Sequence, residues 1–207
     1  GNIFSIYSAC KFLGYNCIVS SSKKEIKEAS KLILPGVGHF AEGMKNLGEL
    51  GLIELLNEKV CIEKIKILGI CLGSQLLLDS SEESNNEKGF GWIKGTSKKF
   101  SKDSIFPGTH NGWNEVKFKK KLFDEKKTNL KMYFNHSYYP VVYEEKNIVA
   151  ETNFQQNFTS IFSKDNIFGI QPHPEKSQKD GLDFLNSLDD KTKSCTVIKT
   201  EVGYIQQ

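Results

Sequence analysis

The order of apolar segments points to an α/β protein with a mostly parallel central sheet flanked by helices. An antiparallel or mixed strand region is expected in the middle of the chain. Three observations carry this. Short apolar runs alternate with amphipathic stretches up to about residue 80, the pattern of strand–helix–strand units. The runs at residues 31–34 and 65–70 are apolar enough to be covered on both faces. From Trp92 onward the runs become short and alternating, as half-buried antiparallel strands do.

The elements follow in order. Ile3, Ile6 and Tyr7, Cys10 and Leu13 recur at helical spacing, with Asn2 placed to cap that helix and Gly14 to end it. Cys17-Ile18-Val19 reads as a strand, and residues 23–30 as a short polar helix or loop. The buried strand at 31–34 ends at Pro35-Gly36-Val37-Gly38. A helix over about 40–59 is weakened by Gly43, Gly48 and Gly51. The strand at 65–70 runs directly into Cys71 and a helix over 72–78. Residues 80–88 read as a polar loop. Strands are expected at 92–93, 116–118, 132–134, 138–143, 148–150, 160–162 and 168–170, and a last helix at 180–188. The reading is one domain over 1–188 and a tail over 189–207, of which residues 191–207 show little pattern.

Composition narrows the function classes. The chain has 207 residues, 38% of them hydrophobic, enough for one core. Lys+Arg 28 against Asp+Glu 25 leaves a net charge of +3, which is no polyanion-binding signature. Lys119 to Lys121 and Lys126-Lys127 read as a solvated turn, so no nucleic-acid partner is expected. No apolar run approaches the roughly 18 residues of a membrane span, and the start has no signal-peptide character. Five cysteines without paired spacing argue against a disulfide scaffold or a zinc site and for a reducing cytoplasm.

Gly69-Ile70-Cys71-Leu72-Gly73 has the form of a nucleophile elbow. A nucleophile on a sharp strand-to-helix turn needs small flanking residues, and the helix start lends N–H groups and positive potential. A nucleophilic thiol needs a base, and the base an orienting group. Of His39, His110, His136 and His173, the last has the best surroundings. Pro172 and Pro174 favour extended backbone, so His173 and Glu175 project to one side. The glycines of Pro35-Gly36-Val37-Gly38 permit close approach of a ligand to backbone N–H groups.

Taken together these residues resemble the class-I, or triad-type, glutamine amidotransferases. The elbow with Ser74-Gln75 resembles their C-L-G-x-Q motif, and His173-Pro174-Glu175 their triad end. The resemblance extends over about residues 1–188 and is nearest to the glutaminase subunits of imidazole glycerol phosphate synthases. Pro35 to Gly38, His110-Asn111-Gly112-Trp113-Asn114, Tyr133 to Tyr139 and His173 to Ser177 carry it. It implies a flavodoxin-like fold and hydrolysis of glutamine. Cys71 would attack the carboxamide, His173 would move the proton, and Glu175 would orient His173. The N–H of Leu72 and one from Gly36–Val37 would form the oxyanion hole, beside Gly38. Gln75 and the Ser137–Tyr138 backbone would hold glutamine. Ammonia would pass to a (β/α)₈ cyclase or synthase subunit in a heterodimer, with Asn2, His110, Trp113 and Lys176 at the interface. No metal or organic cofactor is implied.

The chain departs from that pattern in places. The family usually begins with a strand leading into a D-Y-G-x-G-N turn, whereas this sequence opens at the Gly1-Asn2 of that turn, so a first strand is expected to be missing from the sheet. Pro172, His39 and Asn111 replace the usual residues. Three rivals stay open at this point. They are a paralogue supplying ammonia for amidination of a bacterial surface sugar, a cysteine hydrolase of similar fold, and an inactive interaction subunit.

Overall fold

A computed structural model describes residues 3–102, 108–120, 129–188 and 193–200. Six helices are found among them: α1 (Ile3–Phe12), α2 (Lys23–Lys27), α3 (Phe40–Glu49), α4 (Ile53–Asn57), α5 (Leu72–Leu76) and α6 (Gln178–Ser187). The strands of the first half are β1 (Asn16–Ser20), β2 (Lys31–Gly36), β3 (Lys66–Cys71), β4 (Ser80–Ser81), β5 (Ser84–Lys88) and β6 (Gly95–Lys99). Those of the second are β7 (His110–Phe118), β8 (Asn129–His136), β9 (Tyr138–Val142), β10 (Ile148–Asn153), β11 (Asn157–Lys164), β12 (Ile167–Ile170) and β13 (Ser194–Ile198).

Nine strands form the main sheet in the order β1-β13-β2-β3-β12-β11-β10-β7-β8. The first five run parallel, and the remainder join antiparallel. The expected change from parallel to antiparallel therefore lies at the β12–β11 pair. Alternation along β2 explains the two-sided burial. Ile33 packs with Ile6, Cys10 and Phe184 under α1 and α6. Leu32 and Leu34 pack with Phe40, Leu47 and Leu72 under the other helices. Burying one such side chain contributes about 1.5–3 kcal/mol, so these two layers hold the sheet's parallel half.

The structure corrects several expectations. Residues 194–198 do not belong to a tail outside the fold. They form β13, inserted between β1 and β2 with four of its five residues buried. β13 pairs with β1 on one side and β2 on the other, so the sheet is continuous there. Cys195-Thr196-Val197-Ile198 is a short β-branched run between polar flanks, too brief to stand out as a buried strand. Residues 80–88 form β4 and β5, which join β6 and β9 in a second sheet of order β5-β4-β6-β9. Trp92 and Ile93 are buried but lie outside any strand. The long helix expected over 40–59 is broken where Gly51 takes φ +62°, a left-handed conformation that ends α3. Asn2 and, of the basic stretch, Lys121, Lys126 and Lys127 lie outside the described residues.

Candidate active site

Cys71 closes β3 and stands at the N-cap of α5 with φ +54° and ψ −114°. A non-glycine residue held there is strained by roughly 1–3 kcal/mol, which the surroundings must over-determine. They do so through glycines. A Cβ on Gly73 would lie 1.8 Å from the Leu34 carbonyl oxygen, and one on Gly69 would lie 2.7 Å from the Gly73 carbonyl oxygen. Helix α5 can therefore sit hard against β2 and β3 only because both flanking positions lack side chains. The Ser74 hydroxyl donates to the Cys71 carbonyl at 2.7 Å, tightening the turn.

Gly73→Ala is expected to be costly. Overpacking usually costs about 1–3 kcal/mol, and here the obstacle is backbone that cannot rotate away. A loss of 3 kcal/mol lowers the melting midpoint of a chain this size by about 6–12 °C. An unchanged midpoint in a thermal unfolding scan would contradict the steric account of the elbow.

His173 is delivered from the opposite side. Its N–H donates to the Tyr133 carbonyl at 2.8 Å, and Ser177 Oγ donates to the His173 carbonyl at 2.5 Å. His173 Nδ1 donates to Glu175 Oε1 at 2.9 Å, and both side chains are buried. That bond leaves the other ring nitrogen for the Cys71 sulfur. Burial disfavours a charged imidazole, but hydrogen bonds to Cys71 and Glu175 outweigh it and raise the His173 pKa to about 9. The folded state therefore gains stability from the His173 proton fully below pH 6.5, the unfolded value, and loses that gain as pH rises through about 9.

A cavity of ≈ 310 Å³ opens beside the thiol, at the small end of the usual range for small-ligand sites. Val37, Gly38, Cys71, Leu72, Gln75, Ser137 and Tyr138 line it, together with Glu83, Thr109, Asn135 and His136. The structure thus gathers the residues singled out for oxyanion and substrate binding around one space, save Gly36. Gly36 lies on the far side of the same loop, lining a neighbouring cavity of ≈ 210 Å³ with Val37 and Leu72. The amide of Gln75 is committed to protein partners, donating to the Tyr138 carbonyl and to Gln171 Oε1 at 2.9 Å each.

Gln171 was not singled out in the sequence. Its amide donates to Cys71 Sγ at 3.6 Å while its oxygen accepts from Gln75. The signal was available, since Gln171 precedes His173 by two residues in an extended segment and so faces the same side.

Of the residues expected at a partner surface, Trp113 and Lys176 do cluster on one face. Trp113 is 44% exposed and meets Tyr133 edge-on at 6.2 Å. Lys176 places its ammonium 5.8 Å from the centre of the same ring. Because Tyr133 pairs with His173, this patch backs directly onto the site. His110 is a correction. It is 3% exposed and stacked between Phe134 and Phe154, so it cannot meet a partner. Strand β7 turns it inward, opposite His136 in the register.

His110 has a different use. A chain of hydrogen bonds satisfies both buried rings in their neutral forms. Asn114 Nδ2 donates to His110 Nε2, His110 Nδ1 to His136 Nε2, and His136 Nδ1 to the Tyr138 carbonyl. These tautomers follow from the network. Burial lowers the two pKa values to about 4 and about 3, which keeps both rings uncharged at neutral pH. The relay fixes the Tyr138 carbonyl from behind, while Gln75 holds it from the cavity side.

Comparison with known proteins decides the family. The profile described as "Glutamine amidotransferase class-I" matches residues 3–186. The chain belongs to the class-I glutamine amidotransferases. Among curated relatives, the "Imidazole glycerol phosphate synthase subunit HisH 2" of Methanococcus maripaludis is 48% identical over 190 residues, covering 91% of this chain and 94% of that one. Subunit HisH of Sulfurimonas denitrificans is 42% identical, with 91% and 92% covered. Subunit HisH 1 of the same Methanococcus is 40% identical, with 91% and 94% covered. A solved structure described as a glutamine amidotransferase superposes with a TM-score of 0.68 over 90% of this chain and 92% of that one, at 15% identity, a likeness of fold. In this amidotransferase, as the sequence implied, the elbow and the His-Pro-Glu segment meet at the carboxyl ends of neighbouring parallel strands, β3 and β12. Among the described residues no helix is long and apolar enough to cross a membrane.

Proposed function

We propose that this class-I glutamine amidotransferase is the glutaminase subunit of an imidazole glycerol phosphate synthase. The observation that carries the proposal is the Cys71–His173–Glu175 arrangement, set on a strained elbow at the wall of the 310 Å³ cavity. Cys71 attacks the carboxamide carbon of glutamine. The thiol proton goes to His173, which passes it to the departing ammonia. Glu175 holds the ring and stabilises its charge. Water then cleaves the thioester, releasing glutamate and regenerating the thiol.

The tetrahedral intermediate needs two donors. The Leu72 N–H at the start of α5 is one, and an N–H from the Gly36–Val37 peptide the other. Gly38 takes φ +98°, which only glycine adopts readily, and Val37 is 52% exposed. A peptide with that freedom can rotate, and one missing donor costs about 10²–10³ in rate. A (β/α)₈ partner holding its nucleotide substrate favours the competent orientation, so ammonia is made when an acceptor is present.

Steady-state glutamine hydrolysis by the chain alone, with the barrel subunit, and with the subunit plus nucleotide tests the reading. Rates rising in that order support it; equal rates in all three overturn the gating. Trp113→Ala is expected to lower the fraction of ammonia that reaches product. The change should leave thermal stability within about 0.5 kcal/mol, as for other exposed substitutions. Unchanged coupling would remove Trp113 from the partner face.

The numbered pair HisH 1 and HisH 2 in one Methanococcus favours keeping a second reading. In it the ammonia serves amidination of a surface sugar through a different barrel partner. Failure of imidazole glycerol phosphate formation with an otherwise active glutaminase would select that reading.

A further inference from the structure

Two thiols near the start of the chain and one 178 positions beyond the second of them converge under the parallel edge of the sheet. Cys10 comes from α1, Cys17 from β1 and Cys195 from β13. All three are buried, and their sulfurs lie within 4.8 Å of one another. Cys17 and Cys195 are direct partners in the parallel register, and the Cys195 thiol donates to the Cys17 sulfur at 2.8 Å. None of them takes part in the glutamine site. Spacing along the chain argued against a metal site; insertion of β13 beside β1 is what brings the third thiol to the other two.

We propose that Cys10, Cys17 and Cys195 form a three-coordinate, all-sulfur site for a soft monovalent cation, copper(I). The donor set selects the metal. Thiolates favour soft cations, and no carboxylate or imidazole joins the cluster among the described residues. Structural zinc closes its shell with four ligands, and only three are present among the described residues. Two sulfurs would suffice for a disulfide. The third, contributed by a different element, is what points to an ion.

Size and charge agree with this. With metal–sulfur bonds of about 2.3 Å, three sulfurs around one ion stand ~4 Å apart. Cys17 and Cys195 must therefore part by roughly 1 Å through side-chain rotation. A cavity of ≈ 50 Å³ beside Cys10 and Cys195 supplies room for that. Each thiol that ligates gives its proton to solvent as its sulfur–metal bond forms. The resulting negative charge is offset locally. Lys31 and Lys66 line the same cavity, and Lys11 exerts a Coulomb pull on Cys17. A bound ion would tie α1, β1 and β13 together, fastening the strand that has no covalent link to its neighbours.

The test uses the full chain with Cys61→Ser and Cys71→Ala, so that only these three of the five cysteines remain. Reduced protein is titrated anaerobically with copper(I) against a chromogenic copper(I) chelator. The expected result is uptake of one equivalent, a sulfur-to-metal charge-transfer band, and an X-ray absorption shell of three sulfurs at about 2.3 Å. The melting midpoint should rise, and amide exchange in residues 194–198 should slow. Adding Cys10→Ser should abolish uptake. Should that variant fail to fold, the three-sulfur shell of the parent decides. No uptake against the chelator would overturn the proposal. So would uptake unaffected by Cys10→Ser, a zinc complex with nitrogen or oxygen in a four-atom shell, or a Cys17–Cys195 disulfide recovered from reduced protein.

Discussion

Cys71→Ala is expected to remove glutamine hydrolysis altogether while leaving the fold and the partner surface intact. The thiol is the only group on the elbow able to form the thioester. In triads that act as a unit, losing the nucleophile costs on the order of 10⁶ in kcat. Cys71 is 6% exposed, and the change deletes one sulfur without adding volume, so only a small cavity results. Alanine at Cys61, which is exposed, should leave hydrolysis unchanged. Initial rates of glutamate release in the assembled complex check this. Wild-type turnover by Cys71→Ala would refute the assigned chemistry.

His173→Ala should be nearly as severe, because thiol activation and protonation of ammonia fail together. Glu175→Gln should cost less, about 10²–10⁴, since the amide can still accept from Nδ1 but no longer offsets the ring's charge. The pH profile separates the two roles. The His173 pKa of about 9 places the alkaline fall of activity near that value. Glu175 is one of the groups raising that pKa, so Glu175→Gln should move the fall toward lower pH. A kcat ranking with Glu175→Gln below His173→Ala, or an alkaline limb that stays in place, would contradict this division of labour.

What could be read from the sequence was local. The elbow is written in five consecutive residues, because strand, turn and helix start are adjacent in the chain and their steric demands fall on Gly69 and Gly73. The His173–Glu175 pair is likewise a two-residue spacing imposed by prolines. The parallel half of the sheet was legible because its strands are continuous apolar runs. What was missed depends on who the neighbours are. His110 resembled a surface residue by its place in a motif, yet β7–β8 pairing turns it onto His136 in an aromatic layer. The Ser84–Lys88 strand is polar because it lies at the edge of the second sheet. Strand β13 carries no signal beyond a few β-branched residues, since its burial comes from β1 and β2 on either side and from the helices packed over its faces, α1 and α2 among them. The cysteine cluster could not be seen at all, because Cys17 and Cys195 meet across 178 positions.

The glycine-lined loop links the chemistry to regulation. Pro35 to Val37 lies between the substrate cavity and the smaller one beside it, which Thr200 also lines. The segment leaving β13 therefore reaches the loop to which the proposed mechanism assigns the second oxyanion donor. Loop, elbow and relay-held Tyr138 carbonyl together define a cavity whose walls come from the loop after β2 and from β3, α5, β8 and β9.

The most direct test of the central claim is covalent capture. The complex, with nucleotide bound, is treated with a glutamine-mimicking electrophile, and the adduct is located by peptide mass spectrometry. The account predicts a single adduct on Cys71, slowed by excess glutamine and nearly lost in His173→Ala. An adduct on the exposed Cys61 with Cys71 left unmodified would contradict it.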